Sequence, residues 1–130
     1  MNIVKKAEES IKALRKPDRN NPDVLELNIK ANQIRKILST VNILKNKVDI
    51  YKINNLQAST LSDELSMEVE FLRVNIAYQA GRYKTVKEFV EKTDLLNMIK
   101  KINGNIKAFE EFCKYVEALV AFHKYYGGKD

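Results

Sequence analysis

The sequence predicts an all-α protein, a compact bundle of about five helices that ends in a long and mostly apolar C-terminal helix. Both prolines, Pro17 and Pro22, lie near the N-terminus, so the rest of the 130-residue chain is free to form long helices. No stretch shows the alternation of a half-buried strand. The glycines follow segments in which apolar residues recur at helical spacing, where helices commonly end: Gly81, Gly104, Gly127 and Gly128.

The first helix is predicted from about Asn2 to Lys16, and the segment PDRNNPD then ends it. A chain of this length builds one core. We therefore expect a single domain overall, in which residues 1–22 form an N-terminal helix with a proline-containing connection and residues 23–130 form the helical body. The apolar residues of the first helix fall on one face: Ile3, Val4, Ala7, Ile11 and Leu14.

The second and third helices are separated by a polar connection, NNLQASTLS. The third is predicted from Asp63 to Ala80, where Ser62 can cap its first turn and Gly81 ends it. The second is predicted from Ala31 to Asn55, with Asn32 as the candidate N-cap. Its apolar residues follow one helix face: Ile34, Ile37, Leu38, Val41, Leu44, Val48 and Tyr51.

The last two predicted helices differ in how much of their surface is apolar. The fourth runs from Thr85 to Ile102, and a break near Thr93 would divide it. The last runs from Asn105 to Tyr126 and is apolar on most of its circumference, with only a narrow polar strip. A helix this apolar must be enclosed by other helices or by a partner subunit.

Scarce residue types exclude several kinds of chemistry. The chain has one cysteine, Cys113, and one histidine, His123, and ten residues of helix separate them by about 15 Å. A single chain can therefore form no disulfide, no zinc site of Cys and His ligands and no Cys–His dyad. The glycines form no phosphate-cradling pattern. The sequence predicts neither an enzyme nor a bound metal or cofactor, and we expect both residues to pack in the core.

Hydropathy indicates no membrane segment. No apolar run approaches the roughly 20 residues that span a bilayer, and MNIVKKAEES lacks the apolar region of a secretion signal. A hydrophobic fraction of 45% with 31% charged residues is typical of a folded chain. We expect a cytoplasmic protein without membrane contact.

Positive charge is concentrated in two segments of a chain whose net charge is +6. Between residues 28 and 55 there are six cations and one acid, Asp49. Neighbouring helices can join two basic segments into one face, as binding to a phosphate backbone requires. Charge alone leaves two alternatives to nucleic-acid binding: the lysines are only solvated, or the basic face binds an acidic protein partner. Tyr83 is the tyrosine best placed to stack on a base, although packing is the more common role. The second of the two basic segments lies between Glu70 and Glu88, where there are four cations and no acid: Arg73, Arg82, Lys84 and Lys87.

Three motifs carry a resemblance to a known family. They are Asn32–Lys36 (NQIRK), Ala77–Arg82 (AYQAGR) and Tyr115–Gly128 (YVEALVAFHKYYGG), in this order. Together they resemble the small helical subunit of the type III-A CRISPR–Cas effector, the Csm complex. The resemblance covers residues 24–128 and leaves the first 22 residues outside it.

The resemblance implies an all-α subunit without catalytic activity, several copies of which stack along the complex, associate with one another and contact its backbone and large subunits. It also implies that these copies line the channel where guide RNA pairs with target RNA, and contact the RNA backbone through basic residues. The motifs indicate Arg35, Lys36 and Arg82 as RNA-binding residues, and Arg73 and Lys84 join them by local charge. The alternative is a helical protein–protein adaptor whose basic face binds an acidic partner.

Overall fold

The computed structural model describes residues 2–129, which form six α-helices and one pair of two-residue strands. The prediction of an all-α bundle is confirmed. Within this range, no helix is both long and apolar enough to cross a membrane. The elements are α1 (Ile3–Leu14), β1 (Lys16–Pro17), β2 (Leu25–Glu26), α2 (Ala31–Asn54), α3 (Asp63–Arg82), α4 (Lys84–Thr93), α5 (Leu95–Ile102) and α6 (Ile106–Tyr125).

The predicted fourth helix is two helices, because the chain turns at Asp94. This residue has a left-handed backbone conformation with φ of 61°, so it ends α4 and precedes α5. The buried Thr93 donates its hydroxyl to the Phe89 carbonyl at 2.7 Å, and so needs no partner outside its own helix. The break predicted near Thr93 is confirmed, and it explains six helices instead of about five.

Side-chain caps begin α1, α3 and α6, whereas α2 begins differently. Ser62, the predicted cap of α3, accepts from the backbone N–H of Leu65 at 3.2 Å. The prediction of Asn32 as the cap of α2 is wrong, because Lys30 is the N-cap and Asn32 lies inside the first turn. A lysine side chain cannot accept a hydrogen bond, so the start of α2 must be held in other ways.

The C-terminal tail supplies one of these ways. The backbone N–H of Ala31 donates to the Lys129 carbonyl at 2.7 Å, and Gly128 donates to the His123 carbonyl at 2.8 Å. The buried His123 bonds the Ile29 carbonyl through Nε2 at 2.8 Å. The last motif of the sequence therefore folds back over the start of α2 and fixes its position.

The apolar helix α6 is enclosed by other helices of the same chain. It packs against α1, α2 and α5, and its largest side chains are fully buried, among them Phe109, Phe112, Tyr115 and Leu119. The Tyr115 hydroxyl donates to the Thr93 carbonyl at 2.9 Å. No partner subunit is needed to cover this helix.

An exposed apolar stripe instead follows the outer face of α3. Residues four, three and four positions apart lie on one side of a helix, and each of these is 56–64% exposed. We call this set the α3 stripe: Met67, Phe71, Val74 and Tyr78. Monomeric proteins rarely leave such contiguous apolar surface uncovered.

Candidate nucleic-acid interface

Two of the sequence motifs meet across a cleft of about 280 Å³. The first turns of α2 form one wall, and the junction between α3 and α4 forms the other. NQIRK therefore faces the end of AYQAGR, although more than 40 residues of chain separate them. We call this the α2–α4 cleft, and it is lined by Lys30, Asn32, Gln33, Lys36, Ile37, Gln79, Tyr83 and Val86.

A hydrogen bond ties the two walls together. Thr85, in the first turn of α4, donates its hydroxyl to Oε1 of Gln33 at 3.3 Å. The same oxygen accepts from the backbone N–H of Lys30 at 3.2 Å, which is the second contact that holds the start of α2. The beginnings of α2 and α4 are therefore direct neighbours.

The electrostatics of the cleft follow from this convergence. A helix N-terminus carries partial positive charge and favours an acid in its first turn. Neither α2 nor α4 has one. Lysines lie near both helix starts instead: Lys30 at the N-cap of α2, Lys36 in its second turn, and Lys84 and Lys87 in the first turn of α4. Two positive helix ends meet at the cleft, Lys30 and Lys36 line it, and Lys84 and Lys87 lie on the adjoining first turn of α4. This arrangement attracts anions.

Tyr83 and Arg82 contact each other at the edge of the cleft. The Arg82 guanidinium lies over the Tyr83 ring, 5.2 Å from its centroid. The tyrosine lines the cleft and is 36% exposed, so it is not a core residue. Aromatic rings and guanidinium planes are the surfaces on which unpaired bases stack.

The structure brings together three of the five residues predicted to bind RNA. Lys36 lines the cleft. Arg82 and Lys84 flank Tyr83 at its edge, and both are exposed. Arg35 is also exposed but lies about 100° around α2 from Lys36, outside the lining of the cleft.

Arg73 does not join the other predicted residues. It lies about two and a half turns before Arg82 on α3, roughly 13 Å along the helix axis. Its guanidinium pairs with Glu70 at 2.8 Å. Its Nε is buried without a hydrogen-bond partner among residues 2–129. Local charge grouped Arg73 with Arg82, but the side chain is already engaged by an acid on its own helix.

Sequence reasoning missed the uncharged members of the cleft. Gln33 and Gln79 both line it, and both lie inside the motifs quoted above. Their position in those motifs was the available signal, but an amide adds nothing to a count of charges. Thr85 was also missed, because a bond across the cleft depends on how α4 packs beside α2.

Two reactive residue types lie away from the cleft. Cys113 is buried, and burial raises the pKa of its thiol to about 12. His123 is buried under the C-terminal tail. Both pack in the core, as the sequence predicts. Among residues 2–129, no three His, Cys, Asp or Glu side chains cluster in a way that could hold a metal ion.

Comparisons with known proteins all match the same family. The family model for Csm2 Type III-A matches residues 4–129. The CRISPR system Cms protein Csm2 of Streptococcus thermophilus is 39% identical over 129 residues, covering 99% of this chain and 94% of the relative. The protein of the same name from Enterococcus italicus is 34% identical over 130 residues, covering 97% and 88%. The similarity extends through α1, so the expectation that the first 22 residues lie outside it is wrong.

Proposed function

The chain belongs to the Csm2 family of type III-A CRISPR systems, and on that basis we propose that it is a non-catalytic small subunit of the Csm complex that contacts the backbone of guide and target RNA. The observation that supports RNA contact is the convergence of two acid-free helix N-termini at the α2–α4 cleft. Phosphates carry the negative charge that this site lacks.

Lys36, Arg82 and Lys84 are the proposed phosphate contacts. All three are exposed, and they lie on both sides of the cleft or at its edge. Such contacts hold the RNA in position without reading its sequence. In a guide-directed complex, base pairing between guide and target supplies the sequence information. Arg35 extends the basic surface along α2, whereas Arg73 is a weaker candidate because it is paired with Glu70.

The proposal of a non-catalytic role is supported by family membership and by the position of the two most reactive side chains. Cys113 and His123 are buried, so neither is presented to a substrate at the surface. The thiol pKa of about 12 keeps Cys113 protonated and unreactive at neutral pH. Catalysis in the complex then belongs to its other subunits.

Assembly with those subunits and with further copies requires surface outside the cleft. The α3 stripe is the exposed apolar face that we assign to these contacts between subunits. It lies on the side of α3 that does not pack against the core. Weak RNA contacts repeated on stacked copies add up through multivalency. A single subunit therefore needs only modest affinity for RNA.

Salt-dependent binding to single-stranded RNA of random sequence tests this function. With fluorescence anisotropy at several salt concentrations, log affinity should fall linearly with log salt, at about 0.7 per phosphate contact. Lys36→Ala and Lys84→Ala should each lower the affinity and reduce that slope by about 0.7. Lys100→Ala is the matched control, because Lys100 is exposed on α5 outside the cleft, and it should bind as wild type.

Two results would contradict the proposal. One is binding that does not depend on salt. The other is a Lys36→Ala variant that binds RNA no worse than Lys100→Ala. Either would favour the alternative, in which the basic face of a protein–protein adaptor binds an acidic protein.

A further inference from the structure

We infer that the α2–α4 cleft holds one unpaired nucleobase of the bound RNA, stacked against Tyr83 and hydrogen-bonded by the amides of Gln33 and Gln79. The inference rests on the proposed function, because it names what enters the same site. It goes beyond phosphate contact, since a pocket for a base distinguishes unpaired nucleotides from a regular duplex.

The size and depth of the cleft fit a single base. Its volume of about 280 Å³ lies just below the usual range for drug-sized ligands, which starts near 300 Å³. Ile37 and Val86 are buried and line it with apolar surface. A flat heterocycle can lie on such a floor, whereas phosphates would remain at the mouth beside the lysines.

The amides provide hydrogen-bonding groups suited to a base edge. Oε1 of Gln33 already accepts from the Lys30 N–H and the Thr85 hydroxyl, which fixes the amide and leaves its NH₂ group as a donor. Gln79 is half-buried at the cleft, and its side chain makes no hydrogen bond with the other residues between 2 and 129. A glutamine amide offers both a donor and an acceptor, which is the combination that base edges present.

The Tyr83 ring provides the stacking surface at the cleft. The Tyr83 ring and the Arg82 guanidinium lie together at 5.2 Å. Alanine substitutions show that a base–aromatic stack contributes enough binding to be measured on its own. The phosphates on either side of the inserted base would then lie outside the cleft, near Lys36 and Lys84.

A bulged RNA duplex separates base insertion from phosphate binding. One duplex carries a single bulged uridine, and its match carries an abasic nucleotide at the same place, so the phosphates are identical. Wild-type protein should bind the uridine bulge at least about fivefold more tightly, as expected when one stacked base is lost. Tyr83→Ala and Gln79→Leu should reduce this ratio towards one.

Three controls make the ratio interpretable. Tyr83→Phe keeps the ring and should keep the ratio. Lys36→Ala should weaken binding to both duplexes equally. Tyr125→Ala removes a tyrosine that is exposed on α6 outside the cleft, and should behave as wild type. If Tyr83→Ala fails to fold, Gln79→Leu alone gives the answer, because it preserves side-chain size.

The outcomes distinguish the two proposals. If both duplexes bind equally well and Lys36→Ala weakens both, the base pocket is wrong and the RNA-binding function stands. If neither duplex binds at any salt concentration, both proposals fail. A ratio that survives Tyr83→Ala and Gln79→Leu also overturns the inference, because the preference would then come from another part of the surface.

Discussion

Gly128 is a position where the fold requires the smallest side chain. A Cβ atom there would lie 2.0 Å from Cε1 of His123 and 2.2 Å from its Nδ1. The ring cannot move aside, because it is only 2% exposed and is bonded to the Ile29 carbonyl. The Ile29 oxygen can only accept, so Nε2 carries the proton. The glycine at the end of the third motif therefore serves packing.

Gly128→Ala should destabilise the protein by about 1–3 kcal/mol, the usual cost of forcing an extra methyl group into packed surroundings. Gly128 does not have a positive φ, so the clash with His123 is the whole effect. Gly81→Ala is the matched control, because nothing lies within 4 Å of an added Cβ there. We expect its stability to stay the same or rise by up to about 1 kcal/mol, since Gly81 is helical. Urea denaturation measures both, and a Gly128→Ala midpoint equal to that of wild type would contradict the account.

The candidate site shows which residues a sequence can indicate by charge. Lys36 was indicated by the NQIRK motif, whereas Lys84 could be chosen because a lysine without nearby acids stands out in a sequence. Arg73 met the same criterion, but Glu70 lies one turn away on the same helix and binds it. Charge could not indicate Gln79, because an uncharged amide becomes notable only when the fold leaves it without a partner inside a cleft.

At the scale of elements, α2 and α4 begin in an electrostatically unfavourable way. Each places cations at the positive end of its own dipole. Selection for stability alone would favour acids there, as in α3, whose first turn contains Asp63 and Glu64. The other helices, α1, α5 and α6, also lack an acid in the first turn, so what distinguishes α2 and α4 is that their N-termini meet at one cleft. The proposed RNA contact gives this arrangement a reason, because bound phosphate would supply the missing negative charge.

Asn32→Asp tests this conflict between stability and binding. The new carboxylate lies in the first turn of α2, three and four residues before Arg35 and Lys36, so it should raise stability by about 0.3–1 kcal/mol. It also lines the cleft, so affinity for single-stranded RNA should fall. Thermal denaturation and fluorescence anisotropy measure the two effects.

Asn105→Asp is the control for this prediction. Asn105 caps α6, which also lacks an acid in its first turn, and it lies outside the cleft. The substitution has the same shape and the same change in net charge. It should raise stability without weakening RNA binding. Equal RNA affinity for the two variants would show that the cleft is not the binding site.

The helices themselves were largely predictable, and the exceptions have local causes. Apolar spacing gave the buried face of α2, and Ser62 marked the start of α3. The prediction that α3 ends at Gly81 is wrong, because the helix continues through Gly81 to Arg82. The start of α2 at Ala31 was predicted correctly, but its N-cap was not. The N–H groups of Lys30 and Ala31 donate to Gln33 and to the Lys129 carbonyl at the far end of the chain, so no capping side chain marks this start in the sequence. The two-residue strands pair Lys16 with Glu26, and are too short to show any alternation.

At the scale of the whole molecule, the position of exposed apolar surface was the main uncertainty. The composition of α6 predicted that it would be enclosed, and it left open whether a partner subunit was needed. The fold resolves this because α1, α2 and α5 surround α6. Exposed apolar surface remains on α3, in the stripe, and on α2, where Ile43, Ile50 and Ile53 are exposed. Because α3 is apolar on two faces, periodicity alone does not show which of them meets the core.

Self-association through the α3 stripe is the prediction that follows at this scale. If copies stack as proposed, wild-type protein should show a mass above that of a monomer in light scattering, increasing with concentration. Phe71→Glu places a charge in the middle of the stripe, where the native side chain is 64% exposed, and should shift the mass towards that of a monomer. The free energy of unfolding should change by less than about 0.5 kcal/mol, because the residue is outside the core.

Val4→Glu is the matched control, because Val4 is 55% exposed on α1 and lies outside the stripe. Both variants change net charge equally, so a general effect of charge on association would appear in both. A lower mass for Phe71→Glu alone would locate the contact on α3. Wild-type protein that stays monomeric at all concentrations, or a Phe71→Glu variant that associates as wild type, would contradict this prediction. The stripe lies on an exposed face away from the lining of the cleft, so the Phe71→Glu variant should keep the RNA affinity of a single subunit. The additional affinity that stacked copies gain through multivalency should be lost in this variant.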